Sequence, residues 1–240
     1  MLQALIFDVD GTLADTERVH LEAFNRAFAD EGLGWHWDEA LYTSLLDISG
    51  GRERMRHYWT TQNPGVTELD SGAVRATVDR LHEIKTAHYE AAVNEGRVSL
   101  RPGVLALIEQ ALHEGLQLAI ATTTSPVNIA ALLRRAMGPD WRSRFAAVGD
   151  ASSSPVKKPD PQVYALVLDR MGLPASTCVA FEDSRNGLRA ARAAGLPTVI
   201  TPTGFTAGHR FDGALRVLPD LSGVTPDDLR AWLGPQLAAA

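Results

Sequence analysis

Asp8 and Asp10 stand two residues apart where the apolar run Leu5-Ile6-Phe7 gives way to Gly11-Thr12. In an extended strand residues i and i+2 project the same way. Gly11 and the polar residues after it favour a turn, which lets the two acids diverge around one small volume. Asp and Gly also close strands by turn chemistry alone. Further along the chain, however, Thr122 ends a second apolar run, Lys158 precedes a proline, and Glu182-Asp183 end a third run. Asp8, Asp10 and Asp183 are hard oxygen donors, which favours magnesium over zinc. A divalent cation, a lysine and hydroxyl donors would turn a cluster of acids into a field that holds an anion. The chemistry that uses this set is phosphoryl transfer through a carboxylate. One aspartate attacks phosphorus while magnesium and lysine spread the charge on the equatorial oxygens. A second acid protonates the departing oxygen and then, as its conjugate base, activates water.

These groups meet only if the intervening elements bring strand ends to one edge. From Arg101 onward the pattern alternates. Pro102-Gly103 opens a helix ending near Gly115, followed by a buried strand over 116–121 that finishes in Thr122-Thr123-Thr124-Ser125. A helix over 129–137, a strand over 146–148, a helix over 163–171, a strand over 178–181, a helix over 188–194 and a strand over 198–200 follow. Such alternation predicts an α/β fold, a Rossmann-like parallel sheet with helices on both faces. Ligands then collect beyond the carboxyl ends of the strands, where the polar strand ends lie.

Between Asp15 and Ala92 no parallel-strand segment is evident and the periodicity stays helical. We expect a helical cap over residues 15–95 inserted into a catalytic core of 1–14 and 96–240. Within it, Gly50-Gly51-Arg52-Glu53-Arg54 places flexible backbone before two guanidinium groups, suited to an anion at a turn or helix start. An inter-helix turn with solvated charges reads equally well. Arg80, His82 and Lys85 form either a second basic edge or a plain solvated face. His82 and His88 lack a metal-ligand spacing.

The formal charge of −6 argues against a nucleic-acid binder. No apolar run reaches membrane-spanning length. The single cysteine, Cys178, forms no internal disulfide and sits in an apolar run, so neither a redox nor a zinc framework is expected. The chain opens on a strand without a basic leader, so a cytoplasmic location is expected, with no membrane and no obligatory protein partner.

Asp8-Val9-Asp10-Gly11-Thr12, Thr122, Lys158 before proline and Glu182-Asp183 resemble, in order and spacing, the four motifs of the haloacid dehalogenase-like superfamily. The resemblance spans nearly the whole chain. It implies Asp8 as nucleophile, Asp10 as general acid and base, and Thr122 and Lys158 as phosphate holders. It also implies magnesium held by Asp8, the Asp10 carbonyl and Asp183, with Glu182 supporting the site. A narrower resemblance is to the CbbY-type sugar-phosphate phosphatases, which act on xylulose-1,5-bisphosphate, an inhibitor of Rubisco. It rests on Glu17, Trp35-His36-Trp37, Tyr42, the Gly50 to Arg54 segment, His82 with Lys85, and Thr122 through Asn128. By that likeness Glu17, Tyr42, Gly50, Gly51, Arg52, Glu53, Arg54, His82, Lys85, Thr123, Thr124, Ser125 and Asn128 contact a small phosphorylated sugar. The cap would select the substrate and the core would perform transfer.

Three other readings compete. A β-phosphoglucomutase-like mutase would share nucleophile, acid/base and magnesium site but retain its phosphoaspartate. A dehalogenase would leave Asp10 and the anion holders without a role. A catalytically silent metabolite binder on the same fold would bind ligand without metal-dependent turnover.

Overall fold

The computed structural model describes residues 1–63 and 72–234. Residues 64–71 of the expected helical insert lie outside this set. Strand β1 (Ala4–Phe7) is buried throughout, between parallel neighbours β2 (Gln117–Ala121) and β4 (Cys178–Glu182). Strand β3 (Ala147–Gly149) extends the sheet past β2, while β5 (Thr198–Ile200) and β6 (Arg216–Val217) extend it past β4. The order β3-β2-β1-β4-β5-β6 is parallel at every pairing. Strands covered on both faces read as continuous apolar runs, as Leu5-Ile6-Phe7 and Val179-Ala180-Phe181 do. The chain order reverses between β1 and β4, which places the ligand crevice of such a sheet just beyond those two strand ends.

Helices cover both faces, as expected for this class. On one face Ala4, Ile6, Ala119 and Ala180 pack with Val163, Tyr164 and Val167 of α7 (Gln162–Met171) and Ala190 and Ala191 of α8 (Arg185–Ala193). On the other face Phe7 stacks on Phe181 at 4.7 Å. Helix α5 (Val104–His113) packs on β2, and α9 (Pro226–Leu233) packs on α5. Helix α6 (Pro126–Met137) carries the chain from β2 to β3. Both α6 and α8 begin one turn before their apolar periodicity does. Ser125 caps α6 at Asn128 N, and Ser184 caps α8 at Gly187 N, so each first turn is polar and is set by capping. The two-residue β6 and α9, with its Thr225–Asp228 capping box, lie beyond the expected elements.

By internal contacts the chain divides into Met1–Thr16 with Val98–Ala240, and Glu17–Arg97. Among the described residues the second unit contains only helices: α1 (Glu17–Asp30), α2 (Glu39–Leu45), α3 (Gly51–Gln62) and α4 (Gly72–Asn94). Its core is aromatic, with Phe24, Phe28, Trp37 and Tyr42 fully buried. Trp37 belongs to that core and is pinned by Asn25, which bonds both its N–H (2.8 Å) and its carbonyl (2.7 Å). No helix among the described residues is long and apolar enough to cross a membrane.

Candidate active site

The strand register brings the predicted groups to one edge. Phe7 lies opposite Ile120 on one side and Phe181 on the other, so Asp8, Ala121 and Glu182 are the next residues of three adjacent strands. The Asp8 amide completes the ladder by donating to the Phe181 carbonyl (3.0 Å). Lys158, buried and delivered by the loop before α7, spans all three. Its ammonium donates to Asp8 Oδ1 (2.7 Å), the Ala121 carbonyl (2.8 Å) and Glu182 Oε1 (2.6 Å). An ammonium carries three N–H donors, so each is accounted for.

Burial pushes the Asp8 carboxyl up to about 7, with Lys158 opposing and Glu182 adding to the rise. Burial alone would lower the Lys158 ammonium, yet Asp8 and Glu182 beside it push it up, so it stays charged. Asp8, Glu182 and Asp183 are all buried and each offers a carboxylate oxygen within 4.8 Å of the others. Asp8 and Glu182 share the Lys158 ammonium, and Asp183 stands beside them, so three acids gather in a poorly solvated place. A hard divalent cation would hold such a group together, and the donor set fits one. Glu182 is already engaged by the protein. Its Oε1 already accepts from Lys158 and from the Tyr164 hydroxyl (2.5 Å), and a Cβ on Gly187 would lie 1.8 Å from its Oε2.

Asp10 sits in the turn after β1, where its Oδ1 accepts from Thr16 Oγ1 (2.8 Å). Gly11 holds φ +79°, and a Cβ there would stand 2.3 Å from Asp183 Oδ2, so both its conformation and its neighbour require glycine. The Arg101 guanidinium donates to the Gly11 carbonyl, Thr201 O (2.5 Å), Pro202 O (2.9 Å) and Pro219 O (3.0 Å). It thereby ties the turn to the loop whose Thr206 hydroxyl donates to Asp183 Oδ2 (3.3 Å). Thr16, Arg101, Tyr164, Gly187 and Thr206 were not among the site residues expected from sequence. Only Tyr164 left a trace there, a phenol on an otherwise apolar helix face that needs a partner once buried.

Thr122 follows β2 and is buried, its amide bonded to Gly149 O (3.0 Å) and its hydroxyl accepting from Thr124 N (3.3 Å). Thr123 lies between them at the strand's end. Asn128 Nδ2 donates to Thr124 Oγ1 (3.0 Å), Ser125 caps α6, and buried Asn128 Oδ1 accepts no hydrogen bond from the described residues. A hydroxyl-rich turn at a helix N-terminus is suited to an oxyanion.

In the helical unit the predicted residues separate into buried and accessible groups. Glu17 Oε2 accepts from Tyr42 OH (2.6 Å), whose oxygen in turn accepts from Arg54 Nη1 (3.3 Å). Arg54 also holds the carbonyls of Leu45 (3.1 Å) and Ile48 (3.2 Å), so this buried guanidinium braces the turn leading to Gly50. Glu53 folds back on Gly50, where a Cβ would come within 2.1 Å of its Oε2. His82 lies against Gly51, 3.1 Å from where a Cβ would stand. Arg52 pairs with Asp79 (2.6 Å) with its side chain 42% exposed. Of the basic edge read on α4, Arg80 pairs with Glu31. Lys85 instead points inward, 2.8 Å from His20 Nδ1 and over the rings of Phe24 and Tyr89.

Residues 2–195 match the haloacid dehalogenase-like hydrolase family. The plasmid CbbY protein of Cupriavidus necator is 58% identical over 92% of this chain and 86% of its own. The structure of a CbbY variant from Rhodobacter sphaeroides, in complex with xylulose-1,5-bisphosphate, superposes with a TM-score of 0.88 at 38% identity, covering 95% of this chain and 99% of that one. A β-phosphoglucomutase from Clostridium difficile shares the fold, with a TM-score of 0.78 at 19% identity over 99% of this chain and all of its own (100%).

Proposed function

Because the chain belongs to the haloacid dehalogenase-like hydrolase family, we propose that it is a magnesium-dependent sugar-phosphate phosphatase that converts xylulose-1,5-bisphosphate to xylulose 5-phosphate. The observation that carries the reaction class is the Lys158 ammonium held between Asp8 and Glu182 beside Asp183. The identity to CbbY, and the sugar bisphosphate bound by the Rhodobacter protein, support the substrate. A cytoplasmic setting fits a chain whose one cysteine is buried and unpaired.

In this reading Asp8 attacks phosphorus, the bond to the sugar oxygen breaks, and Asp10 gives that oxygen a proton. Asp10 then takes a proton from water, which attacks the phosphoaspartate and returns Asp8 as a carboxylate with release of phosphate. Lys158 and the Thr122 to Asn128 turn hold the phosphoryl oxygens. Asp8, the Asp10 carbonyl and Asp183 would hold magnesium, which when bound supplies charge stabilisation for the transferring group. The test is phosphate release with magnesium from xylulose-1,5-bisphosphate, ribulose-1,5-bisphosphate, glucose phosphates and phosphoglycolate. Selective release from the first supports the reading. Isomerisation of a hexose phosphate without release replaces it with a mutase.

Two further results are expected. Magnesium must displace a proton from Asp8, whose carboxyl is pushed up to about 7, so affinity should fall by about tenfold per pH unit below that value. Calorimetry in buffers of different ionisation heat reads the released proton; a pH-independent affinity means that Asp8 is already ionised without the cation. Of Arg52, Arg54, His82 and Lys85, any of which could grip a second phosphate on the CbbY likeness, Arg54 and Lys85 are buried and Arg52 is accessible, so Arg52 is the one to test. Arg52→Ala should raise KM for the bisphosphate by roughly tenfold or more and leave monophosphates little changed. Equal losses on both substrate types would make Arg52 a structural residue of α3.

A further inference from the structure

We propose that Tyr164 is a positioning residue for phosphoryl transfer, fixing Glu182 so that the Lys158 ammonium stays aimed at Asp8. The inference rests on the phosphatase reading above.

The position of Lys158 Nζ follows from its three acceptors. Two of them are tied closely to the strands: the Ala121 carbonyl is strand backbone, and the short Asp8 side chain springs from backbone whose amide is bonded to β4. The third, Glu182 Oε1, ends a longer side chain that can rotate. Two features hold it. The Tyr164 hydroxyl donates to the same Oε1 (2.5 Å) that Lys158 uses (2.6 Å), and Gly187 leaves room for Oε2. The Tyr164 ring also lies beneath the ammonium, 5.0 Å from centroid to Nζ. In a phenol–carboxylate pair the phenol O–H is the donor and the carboxylate oxygen the acceptor. Without that donor Oε1 would be balanced by Lys158 alone. The carboxylate would then draw the ammonium away from Asp8 or turn toward the neighbouring Asp183 position, within the 4.8 Å cluster. Either movement spoils the geometry that a charged transition state needs. The Tyr164 hydroxyl meets no reacting atom in this scheme and acts through Glu182.

Tyr164→Phe removes one hydroxyl and keeps the ring, so packing in the sheet core and the contact beneath Lys158 persist. The variant is made in the wild-type and Glu182→Met backgrounds, the second having no oxygen to accept from the phenol, and magnesium-dependent phosphate release is measured. The chain has only three lysines, Lys85, Lys157 and Lys158, so the Lys158 ammonium resonance is assignable in ¹⁵N-lysine-labelled protein. We expect kcat to fall by about 10- to 100-fold, the scale of a lost hydrogen bond to a charged group, with KM within about twofold. In Glu182→Met the further loss should shrink to under about threefold, as for residues acting through one another. The Lys158 resonance should shift in Tyr164→Phe protein without substrate. An unchanged kcat, with or without a lower melting temperature, overturns the inference, as does an equal loss in both backgrounds. Absence of release from every ester by the wild type counts against the proposed function instead. In that case, or if Glu182→Met is inactive, the resonance decides: a shift supports the positioning role and an unmoved signal overturns it.

Discussion

Asp8→Asn is expected to fold normally and to lose phosphate release by roughly 10⁴-fold or more, the scale seen when an enzyme's nucleophile is removed. The amide has the carboxylate's shape, and its carbonyl oxygen can still accept from Lys158, but it does not attack phosphorus. Stability should hold for a separate reason. The Asp8 carboxyl is pushed up to about 7 mainly by burial, so its charge is costly where it sits. Lys158 retains Glu182 Oε1 and the Ala121 carbonyl after the change. Steady-state release and a denaturant melt on the same preparation check both halves. A rate near wild type would remove Asp8 from the chemistry.

Lys158→Met should be the more damaging change overall. It leaves two buried carboxylates, Asp8 and Glu182, facing each other without the ammonium that lies 2.7 and 2.6 Å from them. Breaking a buried ion pair by deleting one partner costs about 3–5 kcal/mol, because the remaining charge stays desolvated. Turnover should fall by about 10²- to 10³-fold even where the protein is folded, since the phosphoryl oxygens lose a cation. Chemical denaturation and phosphate release read the two effects separately. A wild-type midpoint would mean that the carboxylates are balanced by something other than Lys158.

The contrast between these residues and the ones found only in the structure explains what could be read in advance. Asp8, Thr122 and Glu182-Asp183 each end an apolar run, and a parallel sheet aligns such ends, so periodicity alone placed them on one edge. Lys158 was legible as the cation such a cluster needs. Tyr164, Thr206 and Arg101 were not, because each acts through a contact between distant segments that only the packed register creates. Arg101 lies 90 residues from Gly11, and Tyr164 reaches Glu182 across the gap between α7 and the sheet. The starts of α6 and α8 fell a turn early for a local reason, since Ser125 and Ser184 set them and the apolar stripe does not. In the helical unit, Lys85 and Arg54 look like surface cations in sequence. Their ammonium and guanidinium groups point inward, where aromatic faces and loop carbonyls replace water.

The central claim is that phosphate leaves the sugar by way of Asp8. The most direct measurement is acid quenching of the wild-type protein during turnover of xylulose-1,5-bisphosphate with magnesium, followed by peptide mass spectrometry. The account predicts a phosphoryl group on the peptide carrying Asp8, absent when the nucleophile is Asn. Phosphate release with no phosphorylated peptide, or with the group on another residue, would contradict it.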